Sequence, residues 1–125
     1  MSDRPDFVVL HPAGRISHEH RQVGETLNDA VRRHLRPGRP GMGTMGYGPV
    51  RLWYHDLFTP ELPSNPLADP VIGEALGYRL ANGWAGPVAV SMEEDRATEQ
   101  VPPLSPKVWH FLTVLGALYK SRSLR

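Results

Sequence analysis

The chain has 125 residues, of which 40% are hydrophobic and 22% charged, a balance typical of one compact domain over residues 1–125. The absence of cysteine excludes disulfides, thiol nucleophiles and thiolate metal sites. No apolar run reaches the roughly 18 residues needed to cross a bilayer, and the first residues do not resemble a secretory signal, so we expect a cytoplasmic protein without membrane contact.

The net charge of +1 conceals an uneven distribution along the chain. Residues 1–60 carry eight basic and six acidic side chains, residues 61–106 carry two and seven, and residues 107–125 carry four and none. Each of these segments favours a different kind of partner.

The first elements in chain order are a predicted hairpin and a helix. A short apolar run over residues 6–11 ends at a Pro-Gly turn and returns through the polar run 16–21, which fits an edge strand. From Val23 onward the apolar residues recur at helical spacing, and Pro37-Gly38 ends the predicted helix. Residues 37–49 are so rich in glycine and proline that we expect a loop.

The middle of the chain alternates strands and helices. β-branched and aromatic residues over 50–55 predict a strand, and residues 56–68 read as a second loop. Asp69-Pro70 predicts the cap and first turn of a helix that ends at Asn82-Gly83. Residues 86–92 predict a further strand.

The last predicted element is a helix that starts after Ser105 and is apolar on more than one side. Its inner face is expected to comprise residues 108, 111, 112, 115, 118 and 119, with Trp109, Val114 and Ala117 extending the apolar surface beyond one stripe. The whole order, β-β-α-β-α-β-α, predicts an α+β domain with helices packed on a small sheet.

Three short segments are similar to a family of small proteins of unknown function carried by phages and plasmids of GC-rich bacteria. They are the opening hairpin FVVLHPAGRISHEH, the loop Ser64-Asn65-Pro66-Leu67-Ala68 and the strand entry Gly86-Pro87-Val88-Ala89-Val90. The resemblance implies a small intracellular α+β domain of a mobile genetic element and carries no assigned activity.

Residues 41–46, Gly-Met-Gly-Thr-Met-Gly, match the spacing of a dinucleotide-binding fingerprint. That mechanism needs a preceding strand and a following helix, whereas Pro40 precedes the glycines and Tyr47-Gly48-Pro49 interrupts any helix. We therefore expect a flexible or partner-binding loop and no cofactor.

Histidines raise the possibility of a metal site or a small enzyme. His18 and His20 would lie on one face of a strand, with His11 or His55 as a third ligand. His55-Asp56 could also act as an acid–base pair. The simpler interpretation is an exposed edge strand and a strand terminus, so no catalytic or metal residue is assigned.

Arginines raise a second alternative, a nucleic-acid-binding regulator. Arg32, Arg33 and Arg36 crowd the end of the first helix, and the tail adds Lys120, Arg122 and Arg125. The same arginines would complement a helix dipole without any partner, and the acidic middle segment opposes binding to phosphates.

The interpretation we favour is a non-enzymatic accessory or inhibitory protein that binds a protein target. The residues proposed to mediate binding are apolar or aromatic, as is common at interfaces: Trp109, Val114, Met42, Met45 and Tyr47. Homodimerisation through the last helix is the most concrete expectation.

Overall fold

The fold was analysed in a computed structural model that describes residues 4–35, 42–55, 62–77, 83–95, 97 and 100–123. The elements in chain order are β1 (Phe7–Leu10), β2 (Ile16–Glu19), α1 (Leu27–Leu35), β3 (Met42–Tyr47), β4 (Val50–His55), α2 (Ala68–Leu76), β5 (Val88–Met92) and α3 (Pro106–Ser123). In the described part of the chain no helix is long and apolar enough to cross a membrane.

The five strands form one antiparallel sheet in the order β2-β1-β5-β4-β3. With three helices packed on this sheet, the predicted α+β class is confirmed. β1 and β5 lie in the interior of the sheet, and every residue of β1 is buried. A strand covered on both faces needs apolar residues at consecutive positions, which explains the unbroken apolar run of β1.

Two hydrophobic cores lie on opposite faces of the sheet. Phe7 and Val9 of β1 pack with α1, whereas the alternate residues Val8 and Leu10 pack with α2 and α3. This division follows from the two-residue period of a strand. The protein is therefore a three-layer arrangement with α1 on one face and α2 and α3 on the other.

The prediction of a loop over residues 37–49 is wrong for residues 42–47, which form β3. Each residue of β3 lies opposite one of β4, from Met42 opposite His55 to Tyr47 opposite Val50. The strands are joined through Gly48, whose φ of 60° suits the first position of a two-residue hairpin turn. An edge strand is held to its neighbour by backbone hydrogen bonds. β3 could therefore form although it has few large side chains.

The helix boundaries also differ from the predicted ones. α1 begins at Leu27 and not at Val23, which is fully exposed, because Thr26 caps the helix with its Oγ1 3.1 Å from the backbone nitrogen of Asp29. α2 ends at Leu76 and not at Asn82-Gly83. Gly77 follows in the left-handed conformation, with φ of 72°, which terminates a helix.

The predicted cap at Asp69 is wrong: Leu67 precedes α2 and makes no side-chain cap hydrogen bond. The buried Asn65 side chain accepts a hydrogen bond from the backbone nitrogen of Ala68 at 3.0 Å, whereas Asp69 lies inside the first turn. At α3 the predicted cap is confirmed, since the Ser105 hydroxyl lies 3.3 Å from the backbone nitrogen of Val108.

Candidate functional site

Helix α3 exposes an apolar stripe. Phe111, Val114 and Leu118 are 46%, 43% and 51% exposed, and their spacing of three and four residues places them on one face of the helix. The opposite face packs on the sheet through the buried Leu112 and through Gly116. The prediction that Phe111 and Leu118 belong to the inner face is therefore wrong. Because α3 is apolar on several sides, periodicity alone could not identify the buried side.

An apolar cavity of about 700 Å³ adjoins this stripe, between α3 and the ends of β4 and β5. We call it the α3 groove. Most of its lining is hydrophobic, and the few polar residues come from the start of α3. The lining residues are Pro49, Val50, Ile72, Val90, Met92, Ser105, Lys107, Val108, His110, Phe111, Leu112 and Val114.

Of the two α3 residues predicted to bind a protein, only Val114 lies in the groove. Trp109 packs against the core, and its indole meets the His18 ring edge to face at a centroid distance of 5.9 Å. Trp109 thus fixes α3 over β2. Val114 remains a candidate contact residue, and Phe111 and Leu118 join it.

The other predicted protein-binding residues, Met42, Met45 and Tyr47, lie on β3 at the edge of the sheet. Met42 packs against the core on the α1 face. Met45 lies opposite Leu52 and therefore belongs to the α2 and α3 face, on which the groove also opens. The structure therefore divides the predicted binding residues between a helix face and a sheet edge.

A second cavity of about 750 Å³ lies on the α1 face. Its lining is as polar as it is apolar, in contrast to the α3 groove, and we call it the polar cleft. Its central charge, Arg51, donates to both carboxylate oxygens of Glu93 at 2.9 and 3.0 Å and to the Thr44 hydroxyl at 2.6 Å. On the cavity floor, the Trp53 indole donates to the Ser91 hydroxyl at 2.9 Å. These groups bind one another, so the polar cleft gives weaker support for an external ligand than the α3 groove does.

The structure does not bring together the three histidines of the metal or enzyme alternative. His18 lies on β2 beneath α3, whereas His55 ends β4, and the three strand spacings between these strands alone hold the two backbones at least about 14 Å apart. The Nε2 atom of His55 lies 3.1 Å from the carbonyl oxygen of Leu35 in α1. His20 is exposed beyond the end of β2. Among the described residues no group of three or more histidine or acidic side chains could hold a metal ion.

His11 makes a contact that the sequence did not predict. Its Nε2 lies 2.9 Å from the Ser17 hydroxyl, across the hairpin. Burial lowers the pKa of His11 below its usual 6.5, and Arg15 lowers it further, which favours the neutral imidazole. A hydroxyl beside a neutral imidazole resembles a nucleophile and its base, but neither residue lines the α3 groove or the polar cleft.

The arginines of the nucleic-acid alternative are engaged within the protein where the structure describes them. Arg33 donates two hydrogen bonds to Glu25, at 2.9 and 3.0 Å, and Arg32 donates to Asn28 at 2.7 Å. Arg36 and Arg125, and the side chains of Lys120 and Arg122, lie outside the described part of the chain. Nucleic-acid binding thus stays a prediction, and the contacts of Arg32 and Arg33 do not favour it.

Comparison with known proteins identifies no relative: no family model, no curated protein and no solved structure matches the chain.

Proposed function

We propose that this protein acts by binding another protein, and that the α3 groove receives an apolar segment of that partner. The observation that carries the proposal is the exposed stripe of Phe111, Val114 and Leu118 beside an apolar cavity. Exposed apolar residues that stand alone are normal on a protein surface, but a stripe continuous with an apolar cavity is typical of an interaction site.

The charges of α3 favour a partner that carries acidic residues. The helix contains Lys107, Lys120 and Arg122 and no aspartate or glutamate. Lys107 and Arg122 continue the spacing of the stripe toward the two ends of α3, so carboxylates that flank an apolar segment would be attracted to both ends. The electrostatic attraction would fix the orientation of the segment and raise the rate of association.

The same charges oppose pairing of α3 with α3 in a second copy. An antiparallel pair would place Lys107 near Arg122 of the other copy, and a parallel pair would place Lys107 near Lys107. Each arrangement juxtaposes like charges, which is unfavourable at an interface. We therefore propose a different protein as the occupant, and homodimerisation through α3 becomes the alternative outcome.

The occupant that best fits such a groove is an amphipathic helix. Helices dock in apolar grooves through residues spaced three or four apart, which matches the spacing of the α3 stripe. A protein that captures such a segment can block or recruit its target without catalysis. In keeping with the resemblance noted in the sequence, we propose an accessory or inhibitory role in a mobile genetic element.

Selection of displayed peptides on the immobilised protein tests this function. We expect enrichment of sequences with apolar residues at helical spacing and flanking aspartate or glutamate. The Val114→Asp variant should lose this binding. Val23→Asp is the matched control, because it also places a carboxylate at an exposed valine but lies away from α3.

Three results would contradict the proposal in different ways. Failure to enrich any family of peptides would reject the groove as a protein-binding site. Enriched peptides that bind Val114→Asp as well as the unaltered protein would assign binding to another surface. Enrichment of basic or uncharged flanks would refute the electrostatic part alone.

A further inference from the structure

We propose that two copies of this chain associate through strand β3 and form one continuous antiparallel sheet. This interface is separate from the α3 groove and does not depend on it. Among the strands in the described part of the chain, β3 has a neighbour on one side only. No described strand pairs with the other side of its six residues.

The backbone of β3 is placed to pair with another strand. In a two-residue hairpin the pair beside the turn is hydrogen-bonded, here Tyr47 with Val50, and hydrogen-bonded pairs alternate along the ladder. The amide and carbonyl groups of Met42, Thr44 and Gly46 consequently point away from β4. These three residues offer a row of donors and acceptors at the edge.

Strand β3 itself lacks the charged residues and prolines with which many edge strands avoid pairing. Its sequence, Met-Gly-Thr-Met-Gly-Tyr, contains no charge and no proline. Natural sheets blunt exposed edges with short strands, lysines, prolines or a covering element. An uncharged strand can also pair with an identical strand without electrostatic repulsion. Pairing of α3 with α3, in contrast, would bring like charges together.

The opposite edge of the sheet, β2, is protected in two of these ways. It has only four residues and it carries the charge of Glu19, while α3 packs on its face through Ile16 and His18. The helix lies so close to β2 that a Cβ atom at Gly116 would overlap the Ile16 side chain. Pairing of β3 with β2 of another copy would give open-ended growth, but pairing of β3 with itself closes as a dimer.

We therefore infer that the strand bound at the β3 edge is β3 of a second copy of this chain. An antiparallel pair of β3 strands is related by a two-fold axis, so each copy presents the same outward groups to the other.

Sedimentation and amide exchange of the full chain test the proposal together. We expect a dimer whose population rises through the micromolar range, and slower exchange of the amides of Met42, Thr44 and Gly46 as the concentration increases. A monomer throughout that range, or exchange of these three amides that does not change with concentration, would overturn it.

Paired substitutions at Thr44 separate backbone pairing from side-chain effects. Thr44→Pro removes one outward donor, and proline is tolerated where the amide faces away from the sheet. Thr44→Val keeps that donor, and both variants lose the hydrogen bond from Arg51. We expect Thr44→Pro to weaken dimerisation by roughly tenfold or more, as loss of a backbone hydrogen bond predicts, and Thr44→Val to resemble the unaltered protein.

Two further variants cover the remaining outcomes. If Thr44→Pro does not fold, Met45→Lys with Met45→Gln as its control replaces it, since a charge at the edge opposes strand pairing. A dimer that persists in Thr44→Pro or Met45→Lys but is lost in Val114→Asp would place the interface on α3 and reject the proposal.

Discussion

The side-chain amide of Asn65 donates a hydrogen bond to the carbonyl oxygen of Leu10 at 2.9 Å and thereby ties the loop before α2 to the end of β1. The same nitrogen donates to the carbonyl oxygen of Gly86 at 2.8 Å, and the amide oxygen accepts a hydrogen bond from the backbone nitrogen of Ala68. Because Asn65 is buried, these three hydrogen bonds provide the partners that water would provide at the surface. One residue therefore joins β1, α2 and the segment that enters β5.

Substitution of Asn65 by aspartate should destabilise the protein although the two side chains have nearly the same shape. An oxygen in place of the nitrogen would face the carbonyls of Leu10 and Gly86, and two buried acceptors would lose their donor. We expect a loss of about 2–4 kcal/mol in the free energy of unfolding, measured with urea. Asn28→Asp, at an exposed asparagine in the first turn of α1, should change it by less than about 0.5 kcal/mol. Equal effects of the two changes would contradict this role.

The two faces of α3 should respond differently to substitution. Leu112→Ala removes a side chain buried in the core and should lower the free energy of unfolding by about 2–4 kcal/mol. Val114→Asp changes an exposed position of the stripe and should lower it by less than about 1 kcal/mol. Thermal or urea denaturation compares the two. A large loss for Val114→Asp would mean that the stripe belongs to the core and would weaken the proposed groove.

Close contact between α3 and β2 should make Gly116 intolerant of a large side chain. The Cγ1 atom of Ile16 lies 3.0 Å from the position of a Cβ atom at residue 116. Gly116→Leu should therefore cost about 1–3 kcal/mol through overpacking, measured by urea denaturation. The neighbouring Ala117→Leu, at an exposed position, is the control and should be nearly neutral. Ile16→Ala should reduce the cost of Gly116→Leu, and additive effects would refute the contact.

The ion pair of Glu25 and Arg33 should be visible in the titration of the carboxyl group. Hydrogen bonds from Arg33, and then from the backbone of Gln22, lower the pKa of Glu25 from its usual 4.5 to about 2. NMR titration should find this low midpoint, and Arg33→Gln should move it most of the way back. A midpoint near 4.5 in the unaltered protein would contradict the pairing.

The sign of the pH effect follows from this shift. Since folding lowers the pKa of Glu25, its stabilising contribution is present above about pH 4.5 and is lost as the pH falls toward 2. The difference in stability between the unaltered protein and Glu25→Gln should shrink over the same interval. High salt should also reduce this difference in stability, because the Arg33 side chain is open to solvent.

Local patterning of the chain was sufficient to predict most elements of the fold. The apolar run of β1, the β-branched and aromatic residues of β4 and the helical spacing from Leu27 to Leu35 each match the element observed. These signals are local because they reflect which side chains a strand or helix can bury. The same reasoning predicted the cap of α3 at Ser105, where the hydrogen bond joins residues close in sequence.

Three features depended on contacts between residues distant in sequence. Strand β3 exists because β4 pairs with it, so its glycine-rich sequence alone indicated a loop. The outward side of α3 depends on where the helix meets β2 and α2, because apolar residues surround it and leave periodicity ambiguous. Asn65 lies in a segment that the sequence singled out, but its partners Leu10 and Gly86 lie 55 and 21 residues away. Residue chemistry thus determined which segments could be buried, whereas the tertiary structure decided which surfaces remained free to bind.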